Sequence, residues 1–105
     1  MLDLSFECFD WDAANIANCR RHGVALAEIE HALTHDAVVL VPDIKHSRDE
    51  ERFIAVGKNA NGRFLYVALT FRRIHGKRAV RPISARYMHR KEAERYEQAR
   101  TKIRD

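Results

Sequence analysis

The sequence predicts an α+β domain in which an antiparallel β-sheet packs against two N-terminal helices and one C-terminal helix. Three observations carry this expectation. Two stretches near the N-terminus repeat apolar residues at helical spacing, three β-rich stretches follow one another between turn signals, and a last helical stretch closes the chain. At 105 residues the chain fits one domain, expected to span 1–105, with one modest core. A composition 46% hydrophobic and 32% charged, with few Gly and Pro, argues against disordered and fibrous classes.

Residues 5–9 alternate apolar and polar side chains weakly, as a short first strand would. Asp10-Trp11-Asp12 reads as a helix start, with Asp10 or Asp12 as N-cap. The first helix is expected over Ala13–His22, its apolar stripe formed by Ala13, Ile16, Ala17 and Cys19. Arg20, Arg21 and His22 suit its C-terminal end electrostatically, and Gly23 is the natural residue after it. Leu26, Ile29, Ala32 and Leu33 mark a second amphipathic helix ending near Thr34 or His35. Ala37 to Val41 is a β-branched run stopped by Pro42, and Asp43 to Asp49 a polar loop.

Three strands are expected next, over Glu51–Gly57, Arg63–Phe71 and Arg78–Ala85. Asn59-Ala60-Asn61-Gly62 supplies the first turn and Ile74 to Lys77, centred on Gly76, the second. Short connections make an antiparallel meander the default. The last helix covers about Arg90–Arg104, with Ala93, Tyr96, Ala99 and Ile103 on one face and an Arg90–Glu94 pair at i, i+4.

Several chemistries are disfavoured. Cys8 and Cys19 match no zinc or redox spacing and read as two buried thiols. The six His and the acids show no metal-binding spacing, so neither metal nor cofactor is expected. There is no Gly-rich phosphate loop, nucleophile elbow or Cys/His nucleophile pattern. No apolar run approaches membrane-spanning length, so no membrane partner and a cytoplasmic location are expected.

Charge is sharply segregated. Residues 1–51 hold 4 Lys/Arg and 11 Asp/Glu, whereas residues 52–91 hold 11 Lys/Arg and no acid. Such segregation points to a polyanionic partner for the basic stretch, from Arg52 to Lys91. Arg72, Arg73, Lys77, Arg78, Arg81, Arg86, Arg90 and Lys91 form its cluster, with no local acid to pair them. A period of two along Val80–Arg86 puts Arg81, Ile83 and Ala85 on one face and Val80, Pro82, Ser84 and Arg86 on the other. An arginine there either pairs with a carboxylate, Glu50 or Glu51 being nearby, or binds phosphate. His46, Glu50, Glu51 and Arg52 share a dense polar segment that reads equally as a solvated loop or as an acid/base pair beside the sheet. His31 lies on the second helix with no obvious partner, and His35 and His75 read as loop residues without an evident role. Trp11, Phe53, Phe64, Phe71 and Tyr96 read as core, whereas Tyr66 and Tyr87 remain open as stacking platforms for a base.

The ordered motifs Phe9-Asp10-Trp11-Asp12, Asn15, Arg21-His22-Gly23-Val24, Asp43-x-x-His46-Ser47-x-x-Glu50-Glu51-Arg52-Phe53-Ile54-Ala55-Val56-Gly57, Ile83-Ser84-Ala85-Arg86, Glu92 and Tyr96 resemble the BrnT toxins over residues 6–97. The resemblance implies a RelE-like fold and a ribonuclease toxin of a type II toxin–antitoxin module. It implies a BrnA-like, DNA-binding antitoxin as partner, usually in a heterotetramer around an antitoxin dimer, so that DNA is met only through the antitoxin. RNA is the implied polyanion. Metal-independent cleavage would use the 2′-hydroxyl as internal nucleophile, with cations stabilising the transition state. Arg81 and Arg86 are the candidate stabilisers. Glu50, Glu51 or His46 would handle protons or orient those arginines. Arg52, Arg72, Arg73, Lys77, Arg78, Arg90, Lys91 and His22 are candidate RNA contacts. A non-catalytic RNA- or ribosome-binding module and a purely protein-binding subunit are the competing classes. The first predicts salt-dependent binding with RNA left intact; the second predicts no RNA affinity.

Overall fold

The computed structural model describes residues 4–35 and 38–104, with side chains described up to residue 99. Its elements are β1 (Cys8–Phe9), α1 (Ala13–Arg20), α2 (Leu26–Thr34), β2 (Val39–Pro42), β3 (Phe53–Lys58), β4 (Phe64–Ile74), β5 (Lys77–Tyr87) and α3 (Arg90–Arg104). One 3₁₀ turn, Ile44–His46, interrupts the expected polar loop. Ala37, the expected start of β2, lies outside the described residues, as does the side chain of Ile103.

The five strands form one sheet in the order β1-β5-β4-β3-β2. The meander β2-β3-β4-β5 is antiparallel as expected. The sheet as a whole is mixed, because β1 adds to β5 in parallel through Cys8↔Ala79 and Phe9↔Val80. Backbone bonds from Glu7 N–H to the Arg78 carbonyl and from Asp10 N–H to the Val80 carbonyl fix that short edge. No turn constrains the direction of β1. It docks where β5 offers an open edge, and the helices that follow carry the chain across to β2.

Local chemistry explains the boundaries. Asp12 caps α1, its Oδ1 accepting from the backbone of Ala14 at 2.9 Å and Asn15 at 3.3 Å. The helix stops at Arg20, two residues early, because Arg21, His22 and Gly23 turn away, with Gly23 at φ 80°. Ala25 has no capping side chain, but Glu28 three residues on accepts its N–H at 2.8 Å. Asn59 shapes the β3–β4 turn, its Oδ1 accepting from the N–H groups of Asn61 and Arg63. The β4–β5 hairpin is a two-residue turn with His75 at φ 50° and Gly76 at φ 77°, so both strands run on to meet it.

The two sheet faces differ. One packs Leu40, Phe53, Ala55, Leu65, Val67, Leu69, Val80 and Ala85 against Cys19, Val24, Ile29, Ala32 and Leu33, and is the main core beneath α1 and α2. Burial pushes the Cys19 thiol up to about 11, so it packs as a small apolar group. Cys8, in contrast to the expectation, is only half-buried. The opposite face carries α3 at one end, over a smaller cluster of Val56, Phe64 and Met88 with Tyr66, Ala93 and Tyr96. Ala99, expected on the packed stripe of α3, is exposed.

Glu28 ties the two ends of the core together. Its carboxylate accepts from the Tyr87 hydroxyl at 2.7 Å and from Asn59 Nδ2 at 3.1 Å. Burial raises this carboxyl, but the bonds from Ala25, Tyr87 and Asn59 and the charge of Arg63 outweigh it and leave it below the ordinary value. The closest helix–sheet approach is at Gly57, where a Cβ would lie 2.3 Å from the carbonyl oxygen of Ala32. That neighbour is backbone and cannot swing aside. Gly57→Ala is therefore expected to destabilise the fold by about 1–3 kcal/mol, read as a lowered urea midpoint.

Candidate functional site

Along β4 and β5 the pairing sets which side chains share a face. Thr70 faces Arg81, Ala68 faces Ser84 and Tyr66 faces Arg86. Leu69 pairs with Pro82, so Ile83 has no partner and forms a β-bulge. Strict alternation would have parted the two arginines. The bulge shifts the phase by one residue and brings Arg81, Ser84 and Arg86 onto the same face, opposite the main core. Arg81 and Arg86 lie about 13 Å apart along the strand, at roughly 3.3 Å per residue of β4.

Both arginines are held by acids from distant elements. Arg81 donates to Oδ2 of Asp10 through Nε at 2.8 Å and through Nη2 at 2.6 Å. Both side chains are largely buried, and Arg81 keeps further N–H groups for an anion. Arg86 lies over the Tyr66 ring, 4.3 Å from its centroid, and forks onto Glu92 with contacts of 3.1 and 3.3 Å. Glu92 also accepts the His89 N–H at 2.9 Å, which anchors the start of α3. The Arg86 bonds, then that backbone bond, hold the Glu92 carboxyl down at about 2. Burial, followed by the Glu92 charge, raises the Tyr66 hydroxyl.

The expected absence of acids around the basic cluster is thus corrected. Asp10 comes from the end of β1, Glu50 from the loop before β3 and Glu92 from α3. The expected partner of Arg81, Glu50 or Glu51, is also corrected: it is Asp10. Glu50 pairs instead with Arg72 at 3.5 Å. Tertiary folding supplies what the local sequence lacks.

The other candidates divide into groups. His46, Glu50, Arg52 and Arg72 line one groove of about 650 Å³ together with Lys45, Arg48 and Asp49. His46 Nδ1 sits 2.9 Å from Asp43 Oδ2. Glu51 uses its backbone carbonyl to accept from Thr70 Oγ1 at 2.8 Å, and its side chain is exposed. Arg72 and Lys77 share the face of Arg81 and Arg86, whereas pairing places Arg73 and Arg78 on the opposite face. Arg78 stacks on Phe71 at 3.7 Å and donates to the Ser5 carbonyl. Arg73 donates to the Gly76 carbonyl at the hairpin tip. Arg90 is exposed and pairs with Glu94 at 3.3 Å, and Lys91 is exposed beside it. The basic stretch is therefore not one surface.

His22 joins the site from the side. β1 ends at Phe9, so the second half of β5 has a free edge, against which α1 packs. His22, just past α1, lines a depression of about 140 Å³ with Ile54, Tyr66, Ala68, Ser84 and Arg86. Tyr87 is withdrawn from any base-stacking role on this face. It points to the core side, bonds Glu28 and carries Arg63 on its ring at 3.7 Å. His31 does have partners: its ring stacks on His35 at 3.6 Å, and its Nδ1 lies against the Lys58 carbonyl.

Sequence reading missed Asp10 and Glu92 as arginine holders. The Asp-Trp-Asp triplet carried a signal, since only one aspartate caps α1 and the other is left for another task. Among the described residues no group of three or more His, Cys, Asp or Glu is arranged to hold a metal ion. No described helix is long and apolar enough to cross a membrane.

Two outcomes test this geometry. The depressed Glu92 value means its pairing stabilises the fold fully above the unfolded value of 4.5 and is lost as pH falls through about 2. An NMR titration is expected to place the Glu92 midpoint near 2; a midpoint at 4.5 would contradict the fork onto Arg86. Deleting Ile83, the residue without a partner on β4, is expected to leave a regular ladder in which Arg81, Ser84 and Arg86 still share one face, read as a retained Glu92 shift in the same titration.

A family model described as "Ribonuclease toxin, BrnT, of type II toxin-antitoxin system" matches residues 11–92. No curated protein matches the chain.

Proposed function

Because this chain belongs to the BrnT family of ribonuclease toxins of type II toxin–antitoxin systems, we propose that it is a metal-independent endoribonuclease that inhibits translation by cutting RNA across the open face of its sheet. The observation that carries this reading is the bulge-aligned pair Arg81 and Arg86 on one face. Two guanidiniums held in place by carboxylates are already oriented for phosphate. They can stabilise the charge that builds on a phosphorane-like transition state without reorganising. The groove of His46, Glu50, Arg52 and Arg72 lies at the Arg81 end of this face, where Arg72 is two residues beyond Thr70 on β4. It extends the basic track for the RNA strand. Arg90 and Lys91 extend it at the α3 end.

In this reading residues 1–105 act as one RelE-like toxin domain in the cytoplasm. A BrnA-like antitoxin neutralises it, in a heterotetramer built on an antitoxin dimer, by covering the same basic face. DNA is then bound by the antitoxin alone.

Expression without antitoxin is expected to arrest growth. Arg81→Ala or Arg86→Ala should relieve that arrest and lower RNA cleavage by about 10²–10³-fold, while cooperative unfolding in urea shows that the protein still folds. Cleavage by the wild type should persist in EDTA. Salt-dependent binding with the RNA recovered intact would replace the enzyme by a non-catalytic binding module.

A further inference from the structure

We propose that His22 is the proton acceptor for the 2′-hydroxyl of the bound RNA, with the scissile phosphate seated in the depression beside Arg86. The inference rests on the ribonuclease reading above and assigns the proton step within it. Three observations converge on His22.

Position is the first. Among the described residues that line the depression of about 140 Å³, His22 is the one imidazole, and it faces the same space as Arg86, Tyr66 and Ser84. The depression falls below the ~300–1,000 Å³ of ordinary small-molecule pockets. It suits a phosphate group rather than a whole nucleotide. A phosphate against Arg86 would bring the adjoining ribose to the rim, where His22 stands.

The second is availability. His22 is exposed and makes no hydrogen bond, ion pair or ring contact to a described residue. His46, the imidazole favoured from the sequence, is engaged by Asp43 and lines the other groove. His31 and His35 are engaged with backbone carbonyls and each other. Glu92 and Asp10, the acids nearest the arginines, already serve as their counter-charges.

Local construction is the third. α1 ends at Arg20, and Gly23, at φ 80°, turns the chain immediately after His22. That turn leaves His22 at the free edge of β5. A helix continuing to His22, as the sequence alone suggests, would have kept it on the helix.

The step needs no water nucleophile, and His22 afterwards returns its proton to solvent, so protons balance. The 2′-oxygen bonds to phosphorus as its proton passes to an imidazole nitrogen of His22. The bond from phosphorus to the 5′-oxygen breaks, and that oxygen takes a proton from solvent. The products are a 2′,3′-cyclic phosphate and a 5′-hydroxyl end. Imidazole suits this task because it takes and releases protons near neutrality.

The test compares full-length wild type, His22→Gln, His22→Ala and Arg86→Ala on mixed-sequence single-stranded RNA, with and without ribosomes. A 2′-deoxy oligonucleotide serves as the uncleavable binding probe. His22→Gln is expected to slow cleavage at least about 10²-fold, while affinity for the deoxy probe stays within about twofold. Added imidazole should partly restore His22→Ala, and wild-type products should carry cyclic phosphate ends. Cleavage by His22→Gln at the wild-type rate, with Arg86→Ala inactive, overturns the role of His22 and leaves the ribonuclease reading standing. Loss of probe binding in step with cleavage makes His22 a binding residue and overturns it likewise. A wild type that cleaves no RNA in either condition removes both.

Discussion

The open face depends on one unpaired residue, Ile83. On either side of it β5 obeys strict alternation, but the two halves are out of phase. Val80 and Pro82 in the first half and Ala85 in the second all reach the core, while Arg81, Ser84 and Arg86 all reach the other face. Were Ile83 paired in the ladder instead of bulged out, Arg86 would meet the apolar layer beneath the helices and Ala85 would leave it. Burying an arginine without a partner there is costly. Pro82 fits beside the bulge because it has no N–H to contribute to a ladder. β1 has already ended at this level, so β5 is an edge on that side.

The short β1 and the bulge act together. Because β1 pairs for only two residues, the chain leaves the sheet at Asp10, and Asp10 meets Arg81 there. The next turn starts α1 beside the free part of β5, and α1 delivers His22 to the level of Arg86. A longer β1 would have covered that edge with backbone. The acidic N-terminal half thereby supplies counter-charge to the basic middle, so the segregation of charge along the chain is partly cancelled in space. What remains is directed: Arg72, Arg81 and Arg86 share a face, and Arg73 and Arg78 are turned away.

This explains which parts could be read from the sequence. Both N-terminal helices, the meander and the last helix follow from apolar spacing and turn residues, and those signals are local. The hairpin at His75-Gly76 is local too, and only the extent of its strands was short. The bulge is not local. Arg81, Ile83 and Ala85 look like a regular alternating set, and the phase shift shows only when β4 is laid alongside. The direction of β1 is equally hidden, since two residues carry no pattern of their own. The holders of the arginines were illegible for the same reason: Asp10 lies 71 residues from Arg81 in sequence. Arg81 and Arg86 themselves were legible because charged residues in an apolar strand demand an explanation. That they share a face was not.

The last helix completes the site rather than merely closing the chain. Its described contacts concentrate in its first two turns, where Ala93 and Tyr96 pack on Phe64, Val56 and Met88. Tyr66 belongs to that cluster and is also the platform under Arg86. Glu92, in the first turn of the same helix, holds both the guanidinium and the His89 N–H that starts the helix. Docking α3 and orienting Arg86 are therefore one event, since the same carboxylate and the same ring serve both. Weakening the small cluster would loosen Arg86 without touching it, and removing Arg86 would cost α3 part of its anchor. The small cluster thus sets the geometry of the open face as directly as the bulge does.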